Sequence, residues 1–414
     1  MELKTKYQYT YFIYPFLVKE NKYKKYILKL VKDKKCNLKI FEKEKDLKLY
    51  EYFSPKIREF LFSSFSFSYA KKKKMQELPV ETRAAILSNY PCTIFEYDLP
   101  KDVQGKTGEK DGIFFNIQKV EIICFSNGIC FLCMKTNIED VQDFRDVLNF
   151  NYKFRSSNQE YGKLMKYDNI RLQTSKFSDI QTFSEWIRNI TGSKIEAMRI
   201  NEDTENFLTY SYLCISSEDW NQEKSFSSIM HSFVKYANIL PADSNLNIEE
   251  DSLEVFSKWK YCKIGMTKQG IMLLSSQADM SNYTTIPEKF EREYFYTYIL
   301  CLYKKIYLKK IREEFKGLSK NKKVRKEFLE FTKKIWIQDI SQDEAGFVYH
   351  AKIQKVLGLD ILYAEVKNQY DIAYKEVYLK RNRKIIITLI IIIIFILLIN
   401  LFYILGNNLK EITS

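Results

Sequence analysis

The 414 residues are 46% hydrophobic and hold only 12 glycines and 7 prolines, which excludes a disordered scaffold and gives enough chain for two or three folded domains. A formal charge of +14 suits nucleic acid or an anionic membrane surface, and the share of it beside a C-terminal apolar run decides for the lipid bilayer. No leader with a small-residue cleavage site precedes the eight scattered cysteines, so the body is expected in the reducing cytoplasm, with the sequons at Asn189 and Asn282 unglycosylated.

Tyr7 to Val18 is aromatic and β-branched and reads as a strand, and Asn21 to Val31 has the apolar spacing of a helix. The pure basic run Lys71 to Lys74 reads as a solvated loop, not a nucleic-acid patch, so nucleic acid is not the expected partner. Gly105-Lys106-Thr107 has the ending of a phosphate-binding loop, but Pro100 stands where that loop needs its first glycine. Val120 to Lys135 reads as a hairpin turning at Ser126-Asn127-Gly128. Cys130 and Cys133 form a C-x-x-C inside it, where positions three apart face opposite sides of a strand and cannot share a metal or a disulfide. A helix is predicted over Val141 to Leu148.

The order then recurs, with a strand at Phe207 to Ile215, a helix at Phe226 to Ala237 and a hairpin from Lys258 to Ser275 turning at Gln269-Gly270. The expected fold is an α/β cytosolic body of mixed sheets with helices, in two related halves (residues 1–150 and 151–286) and with an insertion in the first half. In the second half Asp243, Asn245, Asn247, Glu249, Asp251 and Glu254 place oxygen ligands at positions 1, 3, 5, 7, 9 and 12 of an EF-hand-like loop. Ile248 replaces the glycine of the sharp turn and Glu250 the apolar position 8, so an acidic surface turn is expected, with divalent-cation binding as the alternative and no other cofactor. His231 and His350 have no partner motif, and no Ser/His/Asp or Cys/His arrangement is present, so no enzyme is expected.

Residues 287–384 read as a helical hairpin and stalk. Phe295, Ile299, Leu302 and Ile306, then Val324, Phe328, Phe331 and Ile335, place helices at 288–315 and 321–339, joined at Gly317-Leu318-Ser319. Ser341-Gln342-Asp343-Glu344 has the form of a capping box. Val356, Leu359, Tyr363, Val366, Tyr370, Ala373 and Val377 then form a heptad seam, able to pack within the chain or between copies.

Ile385 to Leu405 carries no charge over 21 residues, enough to cross a bilayer. Lys380, Arg381, Arg383 and Lys384 precede it, which predicts a single-pass cell-membrane protein with a cytoplasmic N-terminal body and residues 406–414 outside. Thr388 and Asn400 are the polar residues of the span, roughly 120° apart around the helix, and Asn400 is the candidate for a pore or helix contact.

An α/β cytosolic domain, a helical pair, a basic-ended stalk and a membrane helix, in that order, resembles the CorA-type magnesium transporter superfamily. The resemblance implies a pentameric funnel and cation transport, with Lys380, Arg381, Arg383 and Lys384 ringing the cytosolic mouth of the pore. Where that family carries Gly-Met-Asn and a second membrane helix, this chain has Gly406-Asn407-Asn408 and ends at Ser414. The expected function is a membrane-anchored, non-enzymatic, homo-oligomeric module that senses or scaffolds, or gates a small cation pore. The alternative is a membrane-tethered defence or signalling effector whose body binds a nucleotide, nucleic acid or protein trigger.

Overall fold

The computed structural model describes residues 3–66, 75, 77–99, 103–107, 112–139, 141, 143–156, 170–174, 177–192, 196–197, 207–245, 253–315 and 321–413. The strands are β1 (Thr5–Leu17), β2 (Cys36–Leu38), β3 (Cys92–Tyr97), β4 (Gln104–Thr107), β5 (Ile113–Phe125), β6 (Ile129–Ile138), β7 (Ile170–Thr174), β8 (Phe177–Thr182), β9 (Glu196–Ala197), β10 (Leu208–Ile215), β11 (Glu254–Phe256), β12 (Cys262–Thr267) and β13 (Gly270–Ser276). Among the described residues they make one sheet, whose main path runs β11-β12-β13-β10-β1-β6-β5-β4-β7-β8. The helices used below are α1 (Glu20–Lys32), α2 (Leu47–Tyr52), α3 (Pro55–Leu61), α4 (Val80–Leu87), α5 (Phe144–Ser156), α6 (Phe183–Thr191), α7 (Met230–Ala237), α8 (Thr285–Lys289), α9 (Phe295–Phe315), α10 (Asn321–Lys334), α11 (Glu344–Leu357) and α12 (Leu359–Thr413).

β1 lies between β6 and β10 and is buried almost throughout, because both faces of the sheet are covered. Phe12, Tyr14 and Phe16 face a core shared with Ile27 of α1, Phe150 and Phe154 of α5 and Phe233 of α7. Tyr9 and Tyr11 point the other way, where the Tyr9 hydroxyl donates to Pro287 O at 2.9 Å and the Tyr11 ring packs on Phe295 at 4.6 Å between centroids. Pro15 does not break the strand. It falls between the β10 ladder, which ends at Ile13, and the β9 pairing, which begins at Phe16, so a missing N–H removes no ladder bond on that side.

The two expected halves share this one sheet instead of building two. Their hairpins do flank the centre in mirrored order, β13 beside β10 and β6 beside β1. The β10–β13 pairing is parallel, however, whereas β1–β6 is antiparallel, so the two halves differ in the sense of this pairing. The compact unit holding the sheet comprises residues 1–307 and 333–360, and a second comprises 308–332 and 361–414. Residues 287–307, expected with the stalk, therefore belong to the sheet unit, and α9 is buried on every side from Phe295 to Tyr307.

Other boundaries moved for local reasons. α5 starts at Phe144, three residues later than expected, because the Asp143 carboxylate accepts from the Arg145 N–H (2.7 Å) and the Asp146 N–H (3.3 Å) and caps it there. At the next such place the cap of α11 is Asp343, accepting from Ala345 N at 3.2 Å, and not Ser341, whose hydroxyl accepts from Asp343 N. α10 ends at Lys334, before the expected 339, since the chain that follows pairs with residues 52–54: Ser54 N donates to Ile340 O and Gln342 N to Tyr52 O, each at 2.9 Å. Gly358 adopts φ +65° and closes α11, so the heptad seam is cut between Val356 and Leu359. From Leu359 one helix of 55 residues continues without interruption.

All eight cysteines are free and buried. Cys130 joins the core on the α5 face and Cys133 faces the other side, near Tyr296 and Glu121. The sequon residue Asn282 is also fully buried, its amide donating to the carbonyls of Lys260, Tyr261 and Ser276, each at 3.0 Å.

Candidate functional site

α12 contains a stretch long and apolar enough to cross a membrane, and none of its most apolar window is buried by protein. Ile385 to Leu401 expose their side chains all round, an arrangement unfavourable in water and ordinary in hydrocarbon. Lys380, Arg381, Arg383 and Lys384 are exposed at its start, with the Arg381 guanidinium 6.0 Å from the Tyr378 ring centroid. Of the two polar residues in the span, Thr388 satisfies its hydroxyl on Lys384 O at 2.9 Å, while Asn400 is exposed.

The seam before it packs first within the chain. Phe328 of α10 meets the rings of Tyr363 and Tyr370 at 5.6 and 5.3 Å, the Thr332 and Tyr363 hydroxyls lie 3.3 Å apart, and Val366 is fully buried. Beyond Ala373 this cover stops: Tyr374, Val377 and Tyr378 are 54, 40 and 48% exposed.

The acidic loop is described only in part, with Asn247, Glu249 and Asp251 outside the described residues. Asp243 pairs with Arg145 at 3.0 Å, Asn245 is exposed, and Glu254 lies in β11. Glu254 is held by Lys352 at 3.1 Å and by Lys355, and these bonds lower its carboxyl below the usual range. Two of the expected ligands therefore already have cationic partners from separate helices, which a divalent ion would have to displace. Among the described residues no cluster of three or more histidine, cysteine or carboxylate groups has metal-binding geometry.

The remaining motifs fall into structural places. Gly105-Lys106-Thr107 is strand β4, paired on both sides, not a loop that cradles phosphate. Lys71 to Lys74 lie outside the described residues. His231 is exposed on α7. His350 is buried, its Nε2 3.5 Å from Lys304 Nζ, and burial followed by the Lys304 charge lowers its pKa well below the ordinary imidazole value. Lys304 itself is fully buried, donates to Ile337 O at 3.2 Å and lies 5.5 Å from the Trp336 ring; burial pushes its ammonium down to about 8.

A second polar feature had no sequence signal. Glu121, 1% exposed on β5, takes Lys39 at 2.5 Å and Lys119 at 3.2 Å, and the Tyr296 hydroxyl at 3.3 Å. Beside it Glu291 takes Lys135 at 2.6 Å and the Tyr11 hydroxyl at 2.7 Å, with Lys119 4.0 Å away. Burial alone would raise both carboxyls, but the lysines hold them below the usual range. Glu96 completes a set of three lysines and three glutamates that ties the sheet to the 290–296 turn. It is closed and neutral, and its geometry suits fastening more than chemistry.

No family model, curated protein or solved structure matches this chain.

Proposed function

We propose that the protein is a non-enzymatic, cytosol-facing sensing or scaffolding module, tethered to a cell membrane by the C-terminal part of α12. The observation that carries this reading is the uninterrupted helix from Leu359 to Thr413, which turns from a packed stalk into a charge-free span across the basic cluster 380–384. The positive residues favour placing the N-terminal body on the cytoplasmic side. Copies associate along the stretch from Tyr374 to Tyr378, where the seam outruns its cover in α10. A tether is favoured over a pore of the kind CorA-type transporters build: with the Thr388 hydroxyl bonded to its own helix, Asn400 alone does not make a polar lining.

A reporter fused after Ser414 should be extracytoplasmic, and protease added to intact cells should spare the N-terminal body. A reporter active in the cytosol overturns the orientation. Cysteines placed at 374 and 378 should crosslink between copies in membranes; a chain that stays monomeric there removes the assembly and leaves a simple anchor.

A further inference from the structure

A cavity of about 600 Å³ opens in the sheet unit beside α8, with Tyr52, Trp259, Lys289, Glu293 and Asp343 among its walls. Glu293 enters the wall from the turn Phe290–Tyr294, which is wound as a π-helix between α8 and α9. Such turns are rare, and they cost helical regularity that is often retained at functional sites. Here the Tyr210 hydroxyl donates to Phe290 O at 2.7 Å and the Thr297 hydroxyl to Glu293 O at 2.8 Å, so side chains help satisfy the carbonyls of the widened turn.

Glu293, one residue of this turn, is 4% exposed, and its Oε2 has no hydrogen-bond partner. A buried carboxylate oxygen left in that state is costly unless something else binds it. The other charges nearby are already matched: Lys289 to Asp343 at 2.8 Å and Lys48 of α2 to Glu288 at 2.8 Å. Among the described residues that leaves Glu293 and the exposed Glu51 as carboxylates of the wall without a cation. The aromatic rings are arranged for positive charge as well, since the Lys289 ammonium lies 5.9, 5.8 and 5.6 Å from the ring centroids of Tyr52, Trp259 and Tyr294.

We propose that this cavity binds a small organic cation, an amine or guanidinium, whose N–H groups pair with the Glu293 carboxylate while its carbon skeleton lies against Trp259 and Tyr52. The site deepens the sensing reading above, but its occupancy does not depend on the membrane or on assembly. Burial raises the Glu293 carboxyl above its ordinary range, against the opposing pull of Lys289 and Arg292 and with a smaller upward push from Glu288. Deprotonated Glu293 is the form that pairs with a cation, so affinity rises with pH through its titration.

The test is calorimetry on the full chain in detergent with agmatine, choline, an arginine-containing tripeptide and AMP as probes. Agmatine should bind, about 10–100-fold more weakly in Glu293→Gln, because a charge-assisted bond is lost, and more weakly in Trp259→Ala, with Asp243→Ala unchanged. Tighter binding of the tripeptide keeps the same chemistry and assigns its source to a protein side chain. On the unaltered protein, agmatine affinity should fall as the pH is lowered through the raised Glu293 titration, a readout that stands even where Glu293→Gln fails to fold. Absence of agmatine and peptide binding at millimolar concentration, choline (which has no N–H) binding as tightly as agmatine, a flat pH profile, or AMP binding more tightly than every cation overturns the proposal.

Discussion

Two long helices of this chain, α9 and the C-terminal part of α12, are rich in apolar residues, and they come to opposite ends. Phe295 to Tyr307 is enclosed by protein, with Tyr11, Tyr210, Phe125 and the segment 335–340 among its cover. Among the described residues nothing encloses Ile385 to Leu401. Composition already separates them, since α9 is long enough to cross a membrane but not apolar enough. The difference lies in the charges: α9 carries Lys304 and Lys305 at its centre, which a protein can satisfy with carbonyls and rings, whereas the α12 span keeps every charge outside its ends.

The sharpest way to break the comparison is to place the same charge in both. Leu300→Asp puts an unpaired carboxylate into the fully buried core of α9 and should destabilise the sheet unit by several kcal/mol, about 3–5 or more, seen as loss of its cooperative melt. Ile392→Asp should leave that melt unchanged and instead reduce membrane insertion, at a cost of about 3 kcal/mol. If both variants lose the melt, α12 is a core helix and not an anchor.

Within the stalk the contrast recurs on a smaller scale. Val366→Asp buries a charge against α10 and should lower stability by about 2–4 kcal/mol, while Lys367→Asp on the exposed side should stay within about 0.5 kcal/mol. Equal effects, measured by denaturant unfolding, would mean that α10 does not cover this face.

Lys304 tests whether the lysines of α9 are tolerated or useful. Its folded pKa of about 8 lies below that of the free side chain, so the charged form is disfavoured in the fold and stability is gained as pH rises from about 8 to about 10.5. Lys304→Met should therefore stabilise the protein at pH 7, by about 1–3 kcal/mol, with the advantage fading above pH 8. A variant less stable at pH 7 would show that the bonds to Ile337 O and the contact with Trp336 outweigh desolvation. The smallest effect is expected at Asp243→Ala, which removes one exposed ion pair with Arg145 and should not move the melt or any calcium titration.

The same contrast explains what could be read from the residues alone. The span was legible because 21 uncharged residues admit few alternatives, and the long helix because no glycine or proline interrupts it from Leu359 to Leu405. The end of the stalk was not, since Gly358 reads as a weak helical residue until its left-handed φ is seen. Asp343 and Ser341 compete for the same cap, and only the hydrogen bonds decide between them. The Glu121 network was out of reach for a different reason: its members come from residues 39, 96, 119, 121, 135, 291 and 296, and a glutamate within an apolar strand was the one local hint. Glu293 gave no hint at all, because nothing in Phe290-Glu291-Arg292-Glu293-Tyr294 distinguishes a π-turn from an ordinary one.

The burial of all eight thiols also makes the protein its own reporter of opening. Most of the cysteines lie fully inside the fold and burial raises several of them well out of the reactive range, so a thiol reagent reaches these through unfolding of the surrounding segment, whereas Cys36 lines a cavity and is 7% exposed. Labelling kinetics on the unmodified chain would thus map local opening, Cys92 reporting on β3 and Cys301 on α9. A single cysteine introduced on the exposed side of α12 would meanwhile label at once in the native protein, without first replacing any of the eight.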